Sequence, residues 1–133
     1  MKVLIIEDEP ISSRRLKRML MELEPELITE GPAATISEVE NILAEEMDYD
    51  LIVSDIRLQG RTVFEAFKKR KPQCPVIFTT AYDEFALEAF KNNGIDYLLK
   101  PIDIEELSNA LKKIGLISLA TVPASHPLHT YIK

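Results

Sequence analysis

One cysteine, Cys74, stands among the 133 residues, so no disulfide can close within the chain and a reducing, cytoplasmic setting is expected. No apolar run approaches the roughly 18 residues that a membrane-spanning helix requires, and no membrane contact is expected. The opening "MKVLIIEDE" turns acidic too early to supply the core of a secretion signal. Positive charge is scarce as well. With 16 Lys and Arg against 22 Asp and Glu, the net charge is −6. That balance disfavours nonspecific nucleic-acid binding, which depends on cations neutralising phosphates. Neither G-x-G-x-x-G nor G-x-x-x-x-G-K-[ST] occurs, so the dinucleotide and P-loop modes of nucleotide binding have no basis here.

What is present is an ordinary globular balance, 46% hydrophobic and 29% charged, in a length that suits one domain. Apolar runs alternate with helical patterns: "KVLII" and a helix from Ile11 to Leu23, "ELITEGPA" and a short helix opened by the capping pattern "SEVE" at 37–40, then "DLIVSD" and "TVFEAFKKR", "PVIFTTA" and "DEFALEAFKNN", "IDYLLK" and "DIEELSNALKK". Strands beginning at Val3, Leu51, Val76 and Ile95 are continuously apolar, the pattern of strands covered on both faces of a parallel sheet. Pro10 suits a first helical turn, Gly94 a C-cap after "FKNN", and Asp103 an N-cap. The expectation is a doubly wound α/β domain over residues 1–115. Its five-stranded parallel sheet carries helices on both faces in the flavodoxin-like (βα)5 arrangement, strand order 2-1-3-4-5. Residues 116–133, "LISLATVPASHPLHTYIK", show no sustained helical period and read as a tail or linker.

In open α/β sheets the functional crevice lies beyond the carboxyl ends of the strands. Those ends offer Glu7 and Asp8, then Asp55, then Thr79 and Thr80, then Lys100. Two carboxylates about 4 Å apart repel by roughly 4 kcal/mol at an effective dielectric of 20, so three need a cation. Against the single Lys100 ammonium, Glu7, Asp8 and Asp55 leave an excess of negative charge that one divalent ion balances. Hard oxygen ligands without His or Cys favour Mg²⁺ or Mn²⁺ over Zn²⁺. Glu9 reads as a helix-start acid. Carboxylates, a divalent ion, a hydroxyl and a lysine are the parts of phosphoryl transfer, with Asp55 the best-placed acceptor.

The stretches "VLIIEDEP" at 3–10, "LIVSDIRL" at 51–58, "VIFTTAYDEFALEAF" at 76–90 and "IDYLLKPI" at 95–102 together resemble the receiver domain of bacterial two-component response regulators. "FTTAYDEFALEAF" and "DYLLKPI" look most like the subgroup whose receiver precedes a LytTR DNA-binding domain, which is absent from these 133 residues.

The resemblance implies Asp55 as phosphoacceptor, Glu7 and Asp8 as the acidic pair for Mg²⁺, and the Arg57 backbone carbonyl as a further metal ligand. It implies Thr80 as the switch hydroxyl, where position alone left Thr79 open, with Lys100 as the phosphate-binding lysine. It implies Pro101 as a cis proline and Tyr97 as the aromatic switch. It further implies a sensor histidine kinase as partner, and a homodimer through the fourth predicted helix (83–93), fifth strand (95–99) and fifth predicted helix (104–114). DNA contact would come only through an effector domain. Two features depart from the common pattern. "RLQGRTVFEAF" replaces a Pro and a "DG" turn after Asp55, and the bulky Arg57 and Tyr82 flank the phosphoryl position, where they are expected to crowd out attacking water. A haloacid-dehalogenase-type phosphohydrolase is the alternative enzyme reading, but Arg57 occupies the place of its second acid. A pseudo-receiver that only binds is the alternative module.

Overall fold

Residues 1–45, 48–81 and 94–115 are described by the computed structural model. β1 (Lys2–Ile6) leads to α1 (Pro10–Leu23), β2 (Ile28–Ala33) to α2 (Ile36–Ala44), and β3 (Leu51–Asp55) to a small hairpin, β4 (Arg57–Leu58) and β5 (Arg61–Thr62), ahead of α3 (Phe64–Lys69). β6 (Val76–Thr80), β7 (Gly94–Leu99) and α4 (Ile104–Lys113) complete the described elements. The sheet is parallel in the order β2-β1-β3-β6-β7. Leaving the hairpin aside, this is the expected 2-1-3-4-5 winding.

Strand side chains alternate between two cores because successive Cβ atoms leave a sheet on opposite faces. Val3, Ile5, Leu51, Val53 and Ile77 join Leu16, Leu20, Leu107 and Leu111 of α1 and α4. Leu4, Ile6, Ile52, Val76 and Phe78 join Val39, Phe64 and Phe67 of α2 and α3 on the other face. All of β3 and β6 is buried, which explains their continuous apolar sequence. β7 lies at one edge of the sheet and is mostly half-buried, so its apolar run overstated its coverage.

The helix signals hold with one correction. Pro10 opens α1, and Asp103 caps α4 by accepting the Glu105 N–H at 2.9 Å. The cap of α2, however, is Thr35, which accepts the Glu38 N–H at 3.1 Å while its hydroxyl donates to Glu38 Oε1. The capping box is therefore "TISE", two residues before "SEVE": Ile36 must already be helical to bury its side chain. Gly94 opens β7, and the helix it was expected to close lies outside the described residues, as does the segment 116–133. No helix among the described residues is long and apolar enough to cross a membrane.

Candidate functional site

Four strands deliver the predicted residues to one rim. Asp55 is the last residue of β3, Thr80 the last of β6, Glu7 and Asp8 follow β1, and Lys100 follows β7. Lys100 Nζ donates to Glu7 Oε1 at 2.7 Å and to Asp55 Oδ2 at 2.9 Å, closing a bridge across residues far apart in sequence. Single carboxylate oxygens of Glu7, Asp8 and Asp55 lie within 4.8 Å of one another.

Local backbone fixes each acid. The Glu7 N–H donates to the Ala33 carbonyl at 2.9 Å, and the Glu9 N–H donates to Glu7 Oε2 at 3.2 Å. Ala33 reaches that place through a bulge, since Leu4 pairs with Glu30 but Ile6 pairs with Ala33. The bulge depends on Gly31: its φ is +100°, and a Cβ there would lie 2.5 Å from the Ile5 carbonyl oxygen. Glu9 sits at the N-cap of α1, as its reading as a helix-start acid required.

Burial pushes the Glu7 carboxyl up to about 7; the Lys100 hydrogen bond opposes that rise, and the neighbouring Asp55 charge adds to it. For Lys100, burial works against the ammonium, yet its hydrogen bonds to Glu7 and Asp55 prevail and hold it above its ordinary value. Three convergent carboxylates with hard oxygen donors, two of them bridged by one ammonium, fit a Mg²⁺-sized ion, and they raise the cost of leaving the site without one.

Glu7, Asp55, Arg57, Thr80 and Lys100 line a common cavity of about 410 Å³. Thr80 lines it while Thr79, buried beside Asp55 in the β3–β6 register, does not. The Arg57 N–H points at Asp55 Oδ1 across 3.4 Å, and its side chain is exposed. Tyr97 is half-buried on β7 against the α2–α3 core. The Lys100–Pro101 peptide is cis, as the resemblance implied. Tyr82, paired with Arg57 in the expected shield, lies outside the described residues.

Sequence reasoning missed one contributor. The loop after Asp55 folds into the β4–β5 hairpin, whose turn residues Gln59 and Gly60 have φ of 50° and 82°. The Gln59 N–H donates to Asp8 Oδ2 at 2.9 Å. The signal was "QG" between two short segments, since a two-residue hairpin loop with positive φ at both positions favours Gly.

The family described as response regulator receiver domain matches residues 3–112 of this chain. The positive alginate biosynthesis regulatory protein of Pseudomonas aeruginosa is 39% identical over 134 residues, covering 94% of this chain and 54% of that protein. The sensory transduction protein LytR of Staphylococcus haemolyticus is 35% identical over 117 residues, covering 86% of this chain and 45% of that protein. The chain thus spans about half the length of these curated relatives. Among solved structures, the response regulatory domain of mrkE from Klebsiella pneumoniae superposes with a TM-score of 0.74 at 26% identity, covering 87% of this chain and 96% of that one. Strand order, matched span and LytR-type relatives agree with what the motifs implied, and the chain belongs to the response regulator receiver domain family.

Proposed function

We propose that the domain takes a phosphoryl group onto Asp55 from a sensor histidine kinase or a small acyl phosphate, in a Mg²⁺-dependent reaction, and so switches a surface for output. The observation that carries this reading is the Lys100 bridge to Asp55 and Glu7 inside the acid cluster. An Asp55 oxygen attacks the donor's phosphorus, the bond from phosphorus to the donor breaks, and the leaving group departs with its electron pair. Lys100 is placed to pair with the phosphoryl oxygens, and Thr80 lies in the same cavity to donate its hydroxyl to them. Glu7, Asp8, Asp55 and the Arg57 carbonyl would hold Mg²⁺, whose charge offsets that of the incoming group. The chain catalyses only its own phosphorylation and dephosphorylation.

Incubation with acetyl phosphate and Mg²⁺ should add one phosphoryl group, mapped to Asp55 by mass spectrometry, and EDTA should prevent it. Modification elsewhere, or equal modification in EDTA, rejects the assignment.

Output is proposed to run through β7, α4 and the segment 83–93, which lies outside the described residues, as a face for homodimer formation. Thr80 and Tyr97 border that face from β6 and β7. A bound phosphoryl group biases an existing equilibrium between two arrangements. Mg²⁺ with beryllofluoride should therefore shift sedimentation from monomer toward dimer, and Thr80→Ala should blunt the shift. An unchanged profile at confirmed site occupancy removes the dimer. With a net charge of −6 on this chain, transcription control would need a separate DNA-binding effector, in keeping with a cytoplasmic regulator.

A further inference from the structure

The hairpin after Asp55 is built more firmly than a passing loop. Arg57 pairs with Thr62 and Leu58 with Arg61. Leu58 is 1% exposed in the α2–α3 core, and the Val63 N–H closes the neck on the Ile56 carbonyl at 2.7 Å. Arg61 is braced by Glu65 at 2.7 Å. These restraints hold Gln59 at a φ of 50°, a conformation that residues other than Gly adopt at a cost. The result is one N–H aimed at a carboxylate, since Gln59 meets Asp8 Oδ2 at 2.9 Å while Arg57, at the other end of β4, turns its N–H toward Asp55.

We infer that the β4–β5 turn positions Asp8 for metal binding: the Gln59 N–H holds one carboxylate oxygen and leaves the other for the ion. The inference rests on the acid cluster being the Mg²⁺ site. Asp8 is half-exposed at the start of the loop into α1, so without this bond its side chain would have to be ordered as the metal binds. A hydrogen bond to a carboxylate is charge-assisted and directional, and its donor here is main chain, so the side chain at position 59 is dispensable while the N–H is not. Proline at position 59 would have no N–H and could not adopt a φ of 50°. In this chain the N–H at position 59 makes the turn a support for the metal site.

Two measurements test this. Hydrogen exchange of the Gln59 amide, followed by NMR in EDTA, should show protection that Asp8→Ala reduces at least tenfold; an amide unprotected in the unmodified protein overturns the inference without reference to metal. Mg²⁺ affinity by calorimetry should be within twofold of the unmodified protein for Gln59→Asn, which keeps the N–H, and at least fivefold weaker for Gln59→Pro. Asp8→Glu keeps the charge and leaves the hairpin untouched but moves the carboxylate off the amide, so it should lose both protection and affinity. Should Gln59→Pro fail to fold, amide exchange decides the matter: a Gln59 amide as protected in Asp8→Ala as in the unmodified protein overturns the positioning role. Equal Mg²⁺ affinity in Gln59→Pro or Asp8→Glu overturns the positioning role alone. No Mg²⁺ binding by the unmodified protein overturns the metal reading, and the positioning role with it.

Discussion

Lys100→Met is expected to slow acylphosphate formation on Asp55 about a hundredfold and to destabilise the metal-free protein by about 2 kcal/mol at pH 8. The Lys100 ammonium pairs with both Glu7 and Asp55, whose carboxylates are nearly buried. Without it the two acids face each other at low dielectric and lose that counter-charge. Breaking a buried pair typically costs 3–5 kcal/mol, and about 2 allows for the solvent that still reaches the lysine. The loss depends on pH. Removing the ammonium raises the folded-state pKa of Glu7 beyond about 7, so the variant's stability falls as pH rises through that range and largely returns near pH 5, where Glu7 is protonated. Urea titrations in EDTA at pH 5 and 8, beside acetyl phosphate kinetics, read both effects. A destabilisation equal at the two pH values, or an unaltered rate, would show that the lysine is a bystander.

Glu7→Gln should have the opposite sign on stability. A carboxyl whose folded pKa is about 7 against an ordinary 4.5 binds its proton more tightly when folded. Its contribution is therefore fully present below about 4.5 and is lost as pH rises through 7. The amide keeps an acceptor for Lys100 without the charge, although its NH₂ end meets the Glu9 N–H less well than Oε2 does. A net gain of about 1–2 kcal/mol in the metal-free protein at pH 8 is expected, shrinking to nothing below pH 4.5, with Mg²⁺ affinity reduced at least tenfold. Stability followed across pH 4 to 8 in EDTA tests the slope, and calorimetry tests the affinity. A variant no more stable at pH 8 would mean that Glu7 carries its charge there without cost. The expected gain would instead show an acid held for its ligand chemistry and against the stability of its own fold.

The winding of the sheet was legible because buried parallel strands must be continuously apolar, as "LIVSD" and "VIFTT" are. The rim was legible because chain direction alone sends Glu7, Asp55, Thr80 and Lys100 to the same end of such a sheet. Less could be read where local signals compete. "SEVE" and "TISE" both satisfy a capping box, and only the burial of Ile36 separates them. The β4–β5 hairpin hides in two-residue strands too short to show a period, and its hydrogen bond to Asp8 is made by main chain, which leaves no mark in the residue type. Position alone left Thr79 and Thr80 equal, since both are buried hydroxyls at the end of β6; the resemblance favoured Thr80, and of the two it is Thr80 that lines the cavity.

The bulge at Gly31 has a reach beyond its own strand. β2 contributes no side chain to the acid cluster, but its Ala33 carbonyl anchors Glu7, and Lys17 of α1 donates to the Gly31 carbonyl at 3.1 Å. The edge strand thus acts as a spacer gauge that sets how far the first acid stands from the lysine. Wear on that gauge, such as any methyl group at position 31, would be felt as miscalibrated chemistry at a rim it never touches.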